Sequence, residues 1–370
     1  MTPRDDPARS ALLYVLNSGN LYGTERMALA TLPGFADYHR RVLFAPAPAG
    51  SASVTAAARA AGYTAVTFRT RGEFARSLLP WLLRYRRIDL IGTNVGQAYI
   101  AHALARLCLV RLRQVQVVHG GTEDAHAYGR RRLLNRLPVC IVAVSGFVQR
   151  KLEQHGIRPQ AIRVIDNFLA DEETQRAPRR APYDPSRPGA RPVRRPVRVA
   201  VVSRVDPIKR LDLLVEAVER HGLADFRFDV YGSGRDIETL RTRAAAIGHV
   251  QFHGFVPDVG QRLAESDVLL HLCPDEPFGL VILEAFVARL VVIAPDSGGA
   301  GDLVRDGVDG LRFAANDMDA LAATLVRAQA LAPAALQRLA DAAEAGLVRY
   351  SQHEGQRRYR EALASVAELR

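Results

Sequence analysis

The stretch Asp267-Val-Leu-Leu-His-Leu-Cys-Pro-Asp-Glu-Pro-Phe-Gly-Leu-Val-Ile-Leu-Glu-Ala285 changes character twice in nineteen residues. Asp267–Cys273 is a short apolar run of the kind that fills a buried strand. Pro274, Pro277 and Gly279 are turn residues, so Glu276 belongs on a strand-to-helix loop. A helix then begins near Leu280 and carries Glu284 within its first turn or two. Strand, turn and helix in this order are the unit of a parallel sheet. Both carboxylates face whatever docks at the helix N-terminus, where backbone N–H groups and the dipole favour an anion.

Working outward, the same rhythm recurs on both sides. Upstream strand candidates are Ala11–Leu16, Arg41–Ala45, Thr64–Phe68, Asp89–Thr93, Gln114–His119, Cys140–Ser145 and Ile162–Asp166, separated by amphipathic stretches such as Glu25–Leu32, Phe74–Tyr85 and Ala98–Arg111. Between 171 and 197 the pattern stops, because Pro178, Pro182, Pro185, Pro188, Pro192 and Pro196 stand among many arginines. Such a segment reads as a stiff interdomain linker. A second series follows: Val197–Ser203, Phe226–Tyr231, Val250–His253, Asp267–Leu272, Leu290–Ala294 and Gly310–Phe313. The fold class is therefore α/β, and two parallel-sheet domains facing one another across a cleft are the simplest architecture. The expected division is 1–170, a linker 171–197, 198–345, and a terminal segment 346–370. Ligands of such sheets bind at the carboxyl ends of the strands.

At 370 residues two cores are affordable, and 48% hydrophobic with 24% charged residues is ordinary for a soluble chain. The first residues resemble no signal peptide, and no run approaches the ~18 apolar residues needed to cross a bilayer. Cys108, Cys140 and Cys273 are scattered in apolar segments and read as core residues in a reducing cytosol, neither metal ligands nor a disulfide frame. A cytoplasmic location, with peripheral contact at the inner face of a membrane, is the expectation. The net charge of +11 suits an anionic partner. No RNA-binding signature, zinc-finger spacing or aromatic-interleaved basic stripe occurs, so nucleic acid is not expected as a partner.

Four segments at strand ends carry the chemistry. Arg204 ends one apolar strand and Lys209 precedes the following helix, so two cations on one loop can clamp a diphosphate. An arginine at that place is costly unless paired, which calls for an anion. Gly232-Ser-Gly234 is a glycine turn that permits close backbone approach. The Glu276–Glu284 block is third, and Ser297-Gly-Gly-Ala-Gly-Asp302 is a glycine-rich loop opening a helix. A carboxylate beside an anion site is repulsive unless it serves hydroxyl groups. A nucleotide sugar presents phosphate and hydroxyls together.

The order R-x4-K, G-x-G, E-P-F-G-x4-E-A, then S-G-G with Asp302 and Gly307, running from about Val199 to Phe313, resembles the retaining nucleotide-sugar transferases of glycosyltransferase family 4. The resemblance implies a GT-B fold of two Rossmann-like domains, and the segment from Tyr350 to Tyr359 resembles the terminal helix that crosses back onto the first domain. It implies a metal-independent transfer of a sugar from a nucleotide-diphosphate sugar to an acceptor hydroxyl. It implies that Arg204 and Lys209 hold the donor diphosphate and steady its leaving charge, and that Glu276 orients the transferred sugar with the backbone around Phe278, Gly279 and Leu280. Glu284 would bind the ribose hydroxyls and Gly232 would line the donor site. The first half is similar more loosely: Gly23 would approach the phosphates and the acceptor, His119 would contact the sugar, and Ser145 and Asn167 fall at matching places. No cofactor or metal is implied. Partners are the nucleotide sugar and an acceptor such as a glycan, a lipid-linked sugar or a small molecule. Gly-Thr at residues 23–24 replaces the usual Gly-Gly, Asp302 replaces glutamate, and Arg289 and Val291 stand where Gly and Pro are usual.

Other readings remain open on the sequence: a GT-B relative running another reaction on this donor site, such as a phosphorylase or pseudo-glycosyl coupling, or a non-catalytic nucleotide-sugar-binding subunit. Asp317-Met-Asp319 spells D-x-D, but its place before a helical run favours capping. The stretch Leu78–Arg87 combines apolar bulk and basic charge, as a membrane-surface helix does, yet a packed helix with a solvated basic end explains it as well. Gly129-Arg-Arg-Arg132 reads as a solvated face.

Overall fold

The computed structural model describes residues 10–48, 53–120, 128–183 and 196–369. The chain forms two compact units, Met1–Ala170 with Ser351–Arg370, and Asp171–Tyr350.

The first unit holds seven parallel strands, β1 (Ser10–Val15), β2 (Arg40–Pro46), β3 (Thr64–Phe68), β4 (Arg87–Gly92), β5 (Arg111–Val118), β6 (Val139–Ala143) and β7 (Ile162–Val164), in the order β3-β2-β1-β4-β5-β6-β7. Their near-continuous Val, Ile and Leu content follows from helices covering both faces. On one face Leu13, Val42, Phe44 and Leu90 pack against Phe74, Leu78 and Leu82 of the helix Arg71–Arg84 and Ala101 and Ala105 of the helix Val95–Leu107. The chain returns to this unit at its end. In the helix Gln352–Ser365 the Gln352 and Gln356 amides donate to the Ala30 carbonyl at 2.9 and 2.8 Å. Gly355 lies so close to Phe168 that a Cβ would stand 2.1 Å from the ring.

The second unit holds β8 (Val197–Val202), β9 (Phe226–Tyr231), β10 (Val250–Gly254), β11 (Val268–Leu270), β12 (Val291–Pro295) and β13 (Leu311–Phe313), all parallel, in the order β10-β9-β8-β11-β12-β13. In both sheets the order reverses beside the first strand, between β1 and β4 and between β8 and β11. That reversal is where the outgoing loops diverge and leave a crevice.

The proline-rich stretch begins differently from the expectation of a linker. Asp171–Arg176 is a helix that ends before the first proline, and the residues after it are anchored in the second unit. Arg180 pairs with Asp267 at 2.9 Å and lies over the Tyr183 ring, whose hydroxyl donates to the Asp267 carbonyl at 2.8 Å. Tyr183 is buried in the core, so an aromatic anchor overrides the local proline signal. The remainder, 184–195, lies outside the described residues. Among the described residues no helix is long and apolar enough to cross a membrane. The Leu78–Arg87 segment is a packed helix end with Leu78, Leu82 and Tyr85 buried.

Candidate active site

At the reversal point of the second sheet, the loops after β8 and β11 bring Lys209 and Glu276 together. Lys209 Nζ donates to Glu276 Oε2 at 2.6 Å, and both side chains are largely buried, 16% and 14% exposed. His271, the residue after β11, is buried with its Nε2 3.4 Å from the same carboxylate oxygen, near enough for attraction but not aligned as a hydrogen bond. Burial opposes ionisation of Glu276, yet the neighbouring His271 and Lys209 outweigh it and hold the carboxyl far below the usual carboxylate range. Burial likewise favours a neutral Lys209 amine, and Glu276 outweighs it, so the ammonium is held above its ordinary value. Both groups are therefore charged throughout the neutral range. The Cys273 thiol below them is pushed up to about 11 by burial and stays protonated. The crevice here is lined by Val201–Ser203, Lys209 and Leu270–Cys273.

The local backbone explains how a buried charged pair is held. Gly279, with φ of 100°, turns the loop into the helix Leu280–Val287, a conformation that disfavours any Cβ. The loop is clamped from β12: Ser297 Oγ donates to the Pro274 carbonyl at 2.8 Å and Gly299 N–H to the Glu276 carbonyl at 2.6 Å. A Cβ on Gly298 would sit 2.6 Å from the Pro274 oxygen, and one on Gly299 2.4 Å from the Pro277 oxygen. The glycine pair thus exists for backbone contact with the Glu276 loop. Phe278 is buried, edge-on to Tyr350 at 5.9 Å; Leu280 and Glu284 are half-buried on the helix that the loop opens. The first N–H groups of that helix have no partner within it and point at the loop end.

Arg204 differs from its sequence reading. It lies beyond β8, its side chain is 60% exposed, and it pairs with Asp206 at 2.6 Å. Asp206 in turn accepts the Arg235 N–H at 3.2 Å, so one carboxylate braces the arginine and ties two loops. The argument that an unpaired arginine ends a buried strand does not hold; Arg204 is a solvent-facing cation on the same carboxyl edge as Lys209. Gly232 and Gly234 both approach the protein's own backbone closely. A Cβ on Gly232 would meet the Ser203 carbonyl oxygen at 1.8 Å, and one on Gly234 the Val205 oxygen at 2.3 Å. Their close approach is to the Arg204 loop itself, with Val205 N–H donating to Ser233 at 3.1 Å.

In the first unit, Gly23 opens the helix Gly23–Thr31, whose N-cap Tyr22 donates its N–H to the Glu25 carboxylate at 3.1 Å. Burial raises the Glu25 carboxyl above its ordinary value. His119 follows β5 with its Nε2 enclosed and without a hydrogen-bond partner among the described residues; burial, with Arg131 adding, lowers its pKa to about 4, so the imidazole is neutral. Ser145 caps the helix Gly146–Gln154 by accepting the Val148 N–H at 3.1 Å, and Asn167 is buried. Asp317 caps the helix Met318–Ala330 through the Ala320 N–H at 2.9 Å, while Asp319 pairs with His221 at 2.8 Å, which accounts for the D-x-D.

Sequence reasoning passed over His271 and Asp206. A lone polar residue in the apolar run Asp267–Cys273 was the available signal for the first. The second shows nothing by sequence, because its role is to join two loops.

Comparison with known proteins places these observations in a family. Residues 22–173 match the model described as Glycosyltransferase Family 4, and 196–330 the model described as Glycosyl transferases group 1, together more than half of the chain. The chain is 32% identical over 137 residues to a GDP-mannose-dependent alpha-(1-6)-phosphatidylinositol monomannoside mannosyltransferase of Mycolicibacterium smegmatis, covering 33% of this chain and 36% of that protein. It is 36% identical over 155 residues to a D-inositol 3-phosphate glycosyltransferase of Geodermatophilus obscurus, covering 36% and 34%. The matched stretch thus spans about a third of each relative's length. Among solved structures, Anabaena HepE in complex with UDP superposes with a TM-score of 0.78 at 20% identity, covering 96% of this chain and all of that one. The strand order of both units and the two family models together show that the chain belongs to glycosyltransferase family 4 and has the GT-B fold.

Proposed function

We propose that the protein is a retaining glycosyltransferase that moves a sugar from a nucleotide-diphosphate sugar to an acceptor hydroxyl without a metal ion. The observation that carries this reading is the buried Lys209–Glu276 pair at the reversal point of the second sheet. A buried ion pair is weak evidence for stability, because desolvation offsets its attraction. Kept at the place where such sheets bind ligands, it points to work on a substrate.

The chemistry follows from the charge states. The anomeric C–O bond to the diphosphate breaks, and its electron pair goes to the phosphate oxygen. Lys209, permanently protonated, and the solvent-facing Arg204 neutralise that charge, the electrostatic service a metal gives in other transferases. Glu276, permanently ionised, can accept hydrogen bonds from sugar hydroxyls but cannot act as a general acid. The acceptor oxygen attacks the oxocarbenium-like sugar on the face the phosphate leaves, and its proton passes to the departing phosphate oxygen. Glu284, half-buried on the helix that Gly279 starts, would bind the ribose hydroxyls. In the first unit, a neutral, enclosed His119 suits hydrogen bonding to a hydroxyl better than holding charge.

A GDP-mannose-dependent relative and a UDP-bound structural neighbour make GDP and UDP the first nucleotides to test. The test has two parts. Thermal midpoints with UDP, GDP, ADP and dTDP, in chelator, should rise for one base by mass action. With that base's sugars and a panel of hydroxyl acceptors, the product's anomeric configuration by NMR should match the donor's. An inverted anomer would refute retention. Product release by phosphate alone, or no turnover with wild type despite binding, would favour the phosphorylase or binding-subunit alternatives.

A further inference from the structure

We propose that the amino-terminal edge of the first sheet docks on an anionic lipid bilayer, with Leu107 and Leu109 entering the apolar boundary and Arg106, Arg136 and Arg158 meeting lipid phosphates. This stands independently of the transferase reading.

The first observation is Leu109. The helix Val95–Leu107 ends with the Leu109 N–H on the Arg106 carbonyl at 3.3 Å and the Val110 N–H on the Ala105 carbonyl at 2.9 Å. That closure puts residue 109 in the left-handed region, φ of 56°, where glycine is the favoured residue. The other positive-φ residues besides glycine have a return for their strain. Arg289, closing the helix Leu280–Val287 the same way, pairs with Asp341 and Glu344. Arg210 bonds Asp212 and Asn316, which is itself left-handed, and Leu223 is buried. Leu109 is 93% exposed, and Leu107 beside it 79%. Here a branched apolar side chain carries backbone strain and near-full hydration together, with no packing among the described residues to offset either.

The second observation is charge. Between Glu73 and Glu153 the acids are Asp89, Glu123 and Asp124. Asp89 is buried and committed to Arg113. Arg106 and Arg136 are exposed and have no ion-pair partner among the described residues. With Arg158 they line an open groove of about 850 Å³ that also includes Tyr99, His102 and Asn135. Ala105 and Val110, the residues flanking the two leucines, line the same groove, so apolar points and cationic wall are contiguous. Leu83, 71% exposed, with Arg84 and Arg86 exposed beside it, ends the neighbouring helix at this same edge. The helices run opposite to the strands, which places this surface away from the carboxyl edge where ligands of such a sheet bind. Apolar points ringed by arginine are complementary to the boundary of an acidic bilayer, where apolar burial and phosphate attraction add.

The test is co-sedimentation of the full chain with phosphatidylcholine vesicles and with mixed phosphatidylcholine–phosphatidylglycerol vesicles across a salt series. Binding should require phosphatidylglycerol and weaken with salt. Leu109→Gly should raise the thermal midpoint, since glycine relieves the turn, yet lower partitioning by about tenfold or more. Leu107→Ser with Leu109→Ser should lower it further. Arg106→Gln with Arg136→Gln should flatten the salt dependence. In Leu109→Trp, emission should shift to the blue on adding acidic vesicles. Loss of binding in the arginine variant with full binding in both leucine variants would leave surface attraction alone and overturn the insertion. Absence of sedimentation, or retention only by a soluble polyanion such as heparin, would overturn the bilayer. Every variant should keep the wild-type nucleotide-induced thermal shift, so a failed donor assignment and a failed docking surface give different results.

Discussion

The two units share a strand order and differ in what stands where that order reverses. In the first, the loops after β1 and β4 meet through neutral amides: Asn94 donates to Asn17 at 2.8 Å and caps its own helix through the Gly96 and Gln97 N–H groups at 2.8 and 3.2 Å. In the second, the equivalent loops meet through Lys209, Glu276 and His271, all largely withdrawn from water. One topology therefore makes two crevices that differ in the charge placed in each. Neutral amides satisfy a helix end at little desolvation cost. A buried ion pair costs far more to desolvate.

The sharpest way to break that comparison is Lys209→Ala, which should lower turnover by about a thousandfold or more, measured with the matching nucleotide sugar. It should also destabilise the fold, by up to about 3–5 kcal/mol, because Glu276 is left buried and unpaired. Lys209→Met combined with Glu276→Leu separates the two effects: the thermal midpoint should recover while activity stays absent. Recovery of activity in that double variant would make the pair structural and erase the contrast with the first unit.

Gly299→Ala comes next, since its Cβ must displace the Pro277 backbone. Overpacking of this kind should cost about 2–4 kcal/mol and weaken nucleotide binding in the same variant. The corresponding test in the first unit is Asn94→Ala, the smallest effect, about 1 kcal/mol from a lost helix cap with no change in the nucleotide-induced shift. Equal effects on nucleotide binding from both would mean that the two reversal points are not functionally distinct.

Between these lies His119. Its folded pKa, near 4, is below that of an unfolded histidine, about 6.5, so the unfolded chain binds the extra proton first. The stability involved is complete above about pH 6.5 and falls as pH drops toward 4, by at most about 3 kcal/mol. Denaturant titrations across that window should show the slope in wild type and lose it in His119→Gln. Glu276 has the opposite chemistry and a lower window. Its contribution is present above the unfolded carboxylate range and disappears only as strong acid protonates the folded pair.

Each strand expected from apolar runs is present within a few residues, from Ser10–Val15 to Leu311–Phe313, because a strand covered on both faces must be apolar along its length. The Glu276 loop was equally legible: Pro277 and Gly279 limit the backbone so strongly that turn and helix start follow from residue type. Legibility failed where a residue's partner is distant in sequence. Tyr183 turns the start of a proline-rich segment into part of a core, and Asp206 turns Arg204 from a strand-end charge into a braced surface cation. The Ser203 carbonyl beside Gly232, which requires glycine there whatever binds, also had no signal in the sequence.

By itself, then, the sequence determined the α/β rhythm, the turn chemistry and the charged residue types that mark this family, since periodicity and backbone restriction are local properties. Tertiary structure alone decided that Lys209 and Glu276, 67 positions apart, share one proton-rich contact, and that Leu109 is strained and bare while Arg289 in the same turn is paired. Strand order and side-chain exposure set those outcomes. Both depend on which distant segments come to lie side by side.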